Sequence, residues 1–450
     1  MALGSFKKNT FWLILQQLFG IGFALIVGPL VARTLGPQGV GDLTYGENIV
    51  TMYYTVSQLG MNNIMIAELI QHPDNEEKAI GTALVLRLVS SLFFMMLSAV
   101  TVFILKPDSR VIQISTLIQM TMILVQIYDV FNYWFQARLL SKYFTWISMF
   151  SLIVFNGYRI WHIIHHGDVI AFSYGNTIRY TVTLILMVIV FFRLNPGFRP
   201  GFDRDIAKRI LARSKHFVAA SIGSIVYIKV DGLMVGSMIN SENLAFYSLA
   251  VTLCSIWETI PTSIIASAQP VILENRKVSE KAYLDTYQLS LLGILLLSLA
   301  VCLGGTLLGR PVIMFLYGDQ FKNTIPIFYV VLWSTMFALL DAARSTWIIS
   351  EHYERQAKYF VYIGAVTDIV LNWFFIRRWG AFGAAFATLA THLVVFFIAP
   401  CLFRETRVHN RIFFGCFKQW PLLKELVRKN IIKIAQRLGI GAEKTGNSQK

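Results

Sequence analysis

The segment ARTLGPQGVGDLTYG, residues 32–46, interrupts an otherwise apolar run with one arginine, one proline and closely spaced glycines. Glycine and proline at this spacing break a regular helix, and Asp42 is of a residue type that caps the next one. Gly36, Pro37, Gly39 and Gly41 therefore predict a tight reversal at the end of the first helix, with a second helix that begins at Asp42. The apolar runs on either side decide what kind of helices these are.

The whole chain is strongly apolar. Of its 450 residues, 55% are hydrophobic and 14% are charged, and the mean hydropathy is +0.57. This balance excludes an ordinary soluble domain and indicates an all-α integral membrane protein. A crossing helix needs about 20 apolar residues. Twelve segments meet that requirement: 10–32, 42–66, 80–105, 111–135, 143–164, 168–192, 216–239, 244–271, 284–308, 323–349, 356–376 and 381–403.

The N-terminal segment is basic and then apolar, but no small-residue cleavage signature follows it. We expect it to be the first helix and not a removed signal peptide. No CxxC spacing occurs, so a disulfide framework or a metal site is not expected. No cofactor is expected either, since the sequence has no GxxxxGK[ST] motif for nucleotide binding. The four cysteines lie in predicted spans or in the basic tail: Cys254, Cys302, Cys401 and Cys416.

The net charge of +15 is unevenly distributed along the chain. With the N-terminus in the cytoplasm, 28 of the 40 basic residues fall on the cytoplasmic side and seven on the other. The positive-inside rule therefore predicts that both termini are cytoplasmic. The basic tail predicts an amphipathic helix on anionic lipid headgroups, beginning at Lys418. Nucleic acid is not an expected partner, because no aromatic-rich basic module accompanies the charge.

The two halves of the chain resemble each other faintly. PLVARTLGPQGVGDLTYGENI at 29–49 has a counterpart in GLMVGSMINSENLAFYSLAVTL at 232–253, and 165–181 has one in 377–393. Six spans per half make the repeats parallel, so we expect two six-helix lobes related by a pseudo-two-fold axis along the membrane normal. The expected boundaries follow: N-terminal lobe 1–195, cytoplasmic connector 196–215, C-terminal lobe 216–405 and cytoplasmic tail 406–450.

Four motifs, taken in order, resemble the polysaccharide flippases of the multidrug/oligosaccharidyl-lipid/polysaccharide exporter superfamily, the O-antigen repeat-unit translocases among them. The resemblance covers roughly residues 5–405. The motifs are KKNTFWLILQQLFGIGFALIVGPLVARTLGPQGVG at 7–41, IVYIKVDGLMVGSMI at 225–239, LYGDQFKNTIPIF at 316–328 and WGAFGAAFATL at 379–389.

This resemblance implies a function. It implies that the protein is not an enzyme but a flippase in the bacterial inner membrane. The cargo would be an undecaprenyl-pyrophosphate-linked oligosaccharide, moved to the periplasmic leaflet by alternating access and an ion gradient. It also implies a role in lipopolysaccharide or other surface polysaccharide synthesis, beside a polymerase and chain-length proteins.

Basic residues inside the membrane need a partner, because a central charge costs at least about 2.5–3.5 kcal/mol. Fixed cations in a wet cavity lower the barrier for an anionic pyrophosphate. Lys229 and Arg179 are therefore candidate substrate-binding residues, with Arg33 at the rim and Arg344 nearer a helix end. Internal pairing or snorkelling is the alternative for each. Five basic residues lie within or just inside spans: Arg87, Arg159, Arg179, Lys229 and Arg344.

Acidic residues in the spans are candidates for ion coupling, chiefly Glu258, Asp231 and Asp368, with Glu47 and Asp129 as further possibilities. Lys229 and Asp231 are two positions apart, so on a regular helix they point to nearly opposite faces. Glu258 precedes Pro261, which makes that helix a candidate hinge. The rings of FNYWFQ, 131–136, suit either sugar stacking or an interfacial belt.

Three other functions compete with the flippase of polysaccharide units. A multidrug and toxin extrusion antiporter would favour an acidic lumen, in contrast to Lys229 and Arg179. A peptidoglycan-precursor flippase carries the same pyrophosphate head and stays open chemically. A membrane oligosaccharide polymerase needs a sizeable periplasmic loop, whereas the longest expected here is about 14 residues, 309–322.

Overall fold

The computed structural model describes residues 2–425 and Arg428. In that part of the chain the secondary structure is helical and no strand occurs, which confirms the all-α class. The α-helices are α1 Ala2–Ser57, α2 Met61–Gln71, α3 Glu76–Leu105, α4 Arg110–Gln119, α5 Thr121–Val125, α6 Asp129–Ala137, α7 Ser141–Ile164, α8 Val169–Leu194, α9 Arg204–Met238, α10 Ser241–Val278, α11 Glu280–Tyr317, α12 Thr324–Ser350, α13 Glu354–Leu393 and α14 Val408–Gly415.

Nine helical stretches of the described chain are long and apolar enough to cross a membrane. Two of them, Leu15–Gln71 and Glu354–Leu402, have 57 and 49 residues. At about 1.5 Å per residue, each is more than twice as long as the roughly 30 Å hydrocarbon core is thick. The protein is therefore a multi-pass membrane protein, while the count of twelve spans stays a prediction.

The break expected in the opening segment occurs at Gly36, where φ is 66° and ψ is 175°. This backbone conformation is open essentially to glycine alone. Pro37 follows at the first position of the resumed helix, where a missing N–H costs least. Asp42 does not begin the helix as expected but lies inside it, and accepts a hydrogen bond from Gln38 Nε2 at 3.2 Å. Because proline already starts the helix, no later cap is needed.

A second break of the same kind lies at Gly380 in α13, where φ is 61° and ψ is −140°. It falls between the predicted spans 356–376 and 381–403. The expected loop 309–322 is shorter than predicted, because α11 continues to Tyr317 and a 3₁₀ turn, Asp319–Phe321, precedes α12. Apolar residues after Pro311 extend the helix beyond the predicted span.

The chain divides into two compact units. Unit 1 comprises Met1–Leu253, Leu308–Val330 and Ala365–Thr388. Its core includes Trp134, whose ring lies 5.2 Å from that of Phe191, and Phe131 at 4.8 Å from the same ring. The aromatic residues of the 131–136 segment are therefore buried. They pack against one another, which is neither the sugar-stacking nor the interfacial role that the sequence suggested.

Unit 1 also contains buried charge. Arg87 has no exposed surface, and its Nη2 lies 3.1 Å from Asp129 Oδ2. The Tyr54 hydroxyl donates to the same oxygen at 2.8 Å. Gln126 supplies a backbone carbonyl to Arg87 at 3.2 Å. Arg87 is thus paired internally, one of the two alternatives given by the sequence.

The segment after α8 is held on unit 1 by charges. Asp203 caps α9, since its Oδ1 accepts from the backbone N–H groups of Asp205 and Ile206. These backbone hydrogen bonds, that of Ile206 above all, lower the pKa of the Asp203 carboxyl. Further along α9, Arg209 pairs with the buried Glu68 of α2 at 3.0 Å. The second part of the predicted connector, from Arg204, is therefore helical and packed.

Unit 2 comprises Cys254–Leu307, Val331–Gly364 and Leu389–Lys450. His409 is fully buried there, and its Nε2 lies 3.0 Å from the Tyr287 hydroxyl. Burial, helped by the charge of Arg344, lowers the pKa of His409 well below its usual value. The amphipathic helix predicted from Lys418 falls largely outside the described residues, which end at 425 apart from Arg428.

Candidate functional site: a polar cavity and a carboxylate cluster

A polar cavity of about 220 Å³ lies in unit 1 and is lined by residues of α1, α9 and α10. On its wall, Lys229 Nζ donates to Asn48 Oδ1 at 3.3 Å. Glu47, next to Asn48 in the chain, lines the same cavity. A cation held by a neutral amide keeps its net charge, so the cavity presents an ammonium group to whatever enters it. The other lining residues are Val40, Thr44, Ile228, Gly232, Tyr247, Ser248, Leu249, Val251 and Thr252.

Two glycines of α9 let this cavity form beside α1. A Cβ on Gly232 would lie 2.8 Å from Asn48 Nδ2, and one on Gly236 would lie 2.5 Å from a ring carbon of Tyr45. Small residues four apart allow helices to approach closely in membranes. The motif is readable as GLMVG, 232–236, but the sequence reasoning used this stretch only as part of a repeat. It therefore missed Asn48, the direct partner of Lys229.

Asp231 lies at the centre of a separate hydrogen-bond cluster. Its Oδ2 accepts from the Tyr247 hydroxyl at 2.6 Å and from Thr388 Oγ1 at 2.9 Å, and its Oδ1 accepts from Asn372 Nδ2 at 2.8 Å. Only 4% of the residue is exposed. The carboxylate is thus turned away from Lys229, as the two-residue spacing predicted. It is fully satisfied by donors from α10 and α13.

Asp368 adds a second buried carboxylate to this part of unit 1. It lies on α13, one turn before Asn372, and is 1% exposed. The Oδ1 atom of Asn372 is buried without a hydrogen-bond partner in the described structure. Carboxylate, amide and hydroxyl oxygens are the ligands that hard cations prefer. The cluster offers all three types within one buried region.

Arg179 lies between aromatic rings. Its guanidinium carbon is 5.8 Å from the ring centre of Phe155 and 5.3 Å from that of Tyr180. Arg159 lies over the same Phe155 ring, at 4.9 Å. Two half-buried guanidinium groups thus lie near the same ring, and together they place two positive charges in this region. Glu47 lies within electrostatic range of Arg159, which connects this pair to the carboxylate of the polar cavity.

Arg33 has a structural partner. Its Nε donates to the backbone carbonyl of Leu316 at 2.9 Å, and its Nη2 donates to that of Phe315. Both carbonyls belong to the last turn of α11, where unpaired acceptors favour a cation. In this structure Arg33 therefore caps a helix and does not line the polar cavity.

Arg344 belongs to unit 2 and is 1% exposed. Its side chain pairs with Asp341 and donates to the carbonyl of Val395 at 2.9 Å, and its guanidinium lies 4.6 Å from the Phe360 ring centre. The internal pairing with Asp341, one of the two sequence alternatives, is therefore present. The Nε atom of Arg344 is buried without a hydrogen-bond partner in the described structure, and its predicted role in substrate binding stays a prediction.

Glu258 also belongs to unit 2 and is half-buried. The helix that carries it, α10, continues through Pro261 without a break. Its predicted role in ion coupling stays a prediction, and so does the hinge. The ion-coupling candidates of the sequence thus separate, with Asp231 and Asp368 in unit 1 and Glu258 in unit 2.

The sequence matches a family model for polysaccharide biosynthesis proteins over residues 6–276. The chain belongs to the polysaccharide biosynthesis protein family. The match covers α1 to α9 and most of α10, so it includes Lys229, Asp231 and Arg179. No curated protein sequence matches this family member.

Solved structures show which fold this polysaccharide biosynthesis protein has. It resembles the lipid II flippase MurJ in an inward closed conformation with a TM-score of 0.70 and 13% identity, over 91% of each chain. An inward-facing multidrug resistance MATE transporter of the MOP superfamily is similar with a TM-score of 0.61 and 12% sequence identity, over 91% of this chain and 96% of the transporter. A MOP superfamily transporter from Pyrococcus furiosus is similar with a TM-score of 0.54 and 13% sequence identity, over 93% of this chain and 96% of the transporter. At these identities the likeness establishes the fold alone.

Proposed function

We propose that this protein flips undecaprenyl-pyrophosphate-linked oligosaccharide repeat units from the cytoplasmic to the periplasmic leaflet of the bacterial inner membrane. The observation that carries the proposal is the set of cations in unit 1. Lys229 is held by an amide, and Arg159 and Arg179 are held by rings. Since Arg33 and Arg344 are engaged by the protein itself, the substrate patch consists of Lys229 and Arg179 with Arg159 added.

The charges of this region suit a pyrophosphate. Three cations and the Glu47 carboxylate leave a net charge of about +2, against the roughly two negative charges of a pyrophosphate diester. Charge-assisted hydrogen bonds to phosphate oxygens are about twice as strong as neutral ones. A cationic drug, the cargo of an extrusion antiporter, gains nothing from such a region. The charge balance therefore favours the flippase.

We further propose the twelve-span architecture with lobes 1–195 and 216–405, a connector at 196–215 and a tail at 406–450. The breaks at Gly36 and Gly380 support eleven of these spans, because each lies within one of the nine stretches of the described chain and divides it into two crossings. The twelfth is the predicted span 216–239, which lies on α9 up to Met238. The charge asymmetry supports a cytoplasmic position for both termini. The lobes open the cavity alternately to the two leaflets.

Ion coupling is proposed at the Asp231 and Asp368 cluster. Two buried carboxylates, with the oxygens of Asn372 and Thr388 nearby, offer a sodium ion more oxygen ligands than a lone carboxylate does. Glu258 is kept as an independent candidate in unit 2. A polymerase and chain-length proteins are the expected partners downstream of the flipped product.

The test separates charge from shape. Lys229→Arg and Arg179→Lys are expected to keep much of the transport, Ala at either site to lose most of it, and Glu to be worse than Ala. The assay is restoration of surface polysaccharide in a deletion strain, with membrane abundance measured by immunoblot. Lys208→Ala is the control, because the side chain of Lys208 is 74% exposed. Ala variants that transport normally at normal abundance would overturn the proposal.

A second candidate is a flippase for a peptidoglycan precursor, favoured by the similarity to the lipid II flippase fold. Its cargo has the same pyrophosphate, so the Lys229 variants do not distinguish the two. Reconstituted vesicles do: lipid II and the lipid-linked repeat unit are supplied separately, and the faster flipped substrate identifies the cargo.

A further inference from the structure

A second cavity in unit 1, of about 340 Å³, lies where three turns of the chain come together. They are the first turn of α10, the turn before α12 and the break at Gly380 in α13. Its volume falls in the range of about 300–1,000 Å³ that small-molecule sites occupy. It shares no described lining residue with the polar cavity around Lys229.

The lining combines exposed rings with amides. Trp379 is 47% exposed and Phe382 is 36% exposed. Asn243 and Asn323 supply amides beside these rings, and Glu242 supplies a carboxylate. The apolar C–H face of a sugar ring packs on an aromatic ring, while its hydroxyl groups need donors and acceptors at the edge. These five side chains provide both.

The side chain of Asn240 holds one of the amides in place. Asn240 Oδ1 accepts from the backbone N–H of Asn243 at 2.8 Å and from its Nδ2 at 2.9 Å. The Oδ1 atom of Asn243 is thereby left beside the break in α13, where a Cβ on Gly380 would lie 3.4 Å from it. A side chain fixed in this way loses little entropy when it binds a ligand.

The charge of this cavity differs from that of the first. Among the described residues that line it, the charged side chain is Glu242. A carboxylate repels pyrophosphate but accepts hydrogen bonds from sugar hydroxyls. The two cavities thus differ as the two parts of a lipid-linked oligosaccharide differ, one part being anionic and the other polyhydroxylated.

We propose that the cavity of Trp379, Phe382, Asn243 and Asn323 is a carbohydrate-binding site that holds a sugar ring of the transported oligosaccharide. The proposal rests on the proposed function for the identity of the cargo. An interfacial belt would explain an exposed tryptophan, but it does not require a formed cavity or an oriented amide beside it.

The experiment uses a probe without pyrophosphate. Oligosaccharides from mild acid hydrolysis of the organism's own surface polysaccharide are titrated by calorimetry into the full-length protein in lipid nanodiscs. Saturable binding is expected for the wild type. Trp379→Ala and Asn323→Ala are expected to weaken it about three- to tenfold, and Trp379→Phe to retain it within about twofold. Asn323 lies in an exposed turn, so its replacement leaves the helices intact.

The matched control is Trp373→Ala. Trp373 lies on the same helix and is 46% exposed, but it contacts Arg377 and does not line the cavity. Equal weakening by Trp373→Ala would assign the rings to an interfacial belt and overturn the site. Absence of saturable binding to the wild type would also overturn it. Binding of inorganic pyrophosphate to wild type and Lys229→Ala, measured in parallel, tests the proposed function separately.

Discussion

Replacing Asp231 with asparagine removes one charge and almost no volume from the best-satisfied carboxylate in unit 1. Three donors bind it, at 2.6, 2.8 and 2.9 Å. A hydrogen bond to a charged group contributes about 1.5–3 kcal/mol, and a neutral one about 0.5–1.5 kcal/mol. Asparagine has one acceptor oxygen and one NH2 group, so at least one of the three bonds loses its acceptor and the others weaken by roughly 1 kcal/mol each. The free energy of unfolding is therefore expected to fall by about 3 kcal/mol.

The assay is unfolding in mixed micelles, followed by tryptophan fluorescence as the denaturing detergent is increased. Asp205→Asn is the matched control, because its carboxylate lies at the start of the same helix and its side chain is 83% exposed. It should change the unfolding free energy by no more than about 0.5 kcal/mol. In transport, Asp231→Asn should also lose the dependence on the sodium or proton gradient.

Either of two results would contradict these roles of Asp231. A loss below about 1 kcal/mol would show that the three donors do not depend on the charge of Asp231. Transport by Asp231→Asn that keeps its normal response to the ion gradient would remove this residue from coupling. Glu258→Gln, made in parallel, then tests the remaining carboxylate, in unit 2.

Three further predictions concern unit 1. Gly41→Ala should lower the free energy of unfolding by at least about 1–3 kcal/mol, because the added Cβ would lie 1.7 Å from the carbonyl oxygen of Ser241. A variant with normal thermal stability would contradict this prediction. Arg87→Met should cost about 3–5 kcal/mol of unfolding free energy by leaving Asp129 buried and unpaired, and adding Asp129→Leu should recover most of it. Asp203→Ala should speed amide exchange at the start of α9 near neutral pH, with the difference disappearing in acid. The direction of this pH dependence follows from the lowered pKa of Asp203. The cap stabilises α9 fully above pH 3.8, the ordinary pKa of the group, and this stabilisation is lost as the pH falls through the lowered pKa.

The sequence predicts the helices well because the signals are local. The all-α class and the break in the opening segment depend on a few neighbouring residues, and both are confirmed, while the count of twelve spans stays a prediction. The opposite orientation of Lys229 and Asp231 follows from helix periodicity alone. The predicted cap at Asp42 is wrong because Pro37 already starts the helix, a choice that local rules allow but do not decide.

The partners of the buried cations are not predictable in the same way. Arg179 and Arg344 both lie in apolar runs, yet the first lies between rings and the second pairs with Asp341 and backbone carbonyls. What separates them is the packing of segments distant in sequence. For Arg33, the acceptors belong to residues 315 and 316, more than 280 positions away. Rules based on sequence spacing cannot predict a contact between residues so far apart in the chain.

The break at Gly36 has a practical consequence for mapping the membrane orientation. A single residue joins the two parts of α1, so there is no spare chain there to accept an inserted epitope or a protease site. The turn between α3 and α4, residues 106–109, is open by comparison, with Asp108 exposed to solvent. Both lie on the side that the positive-inside rule predicts to be periplasmic. Labels intended for that face should therefore be inserted at Asp108 and not in the segment 32–46.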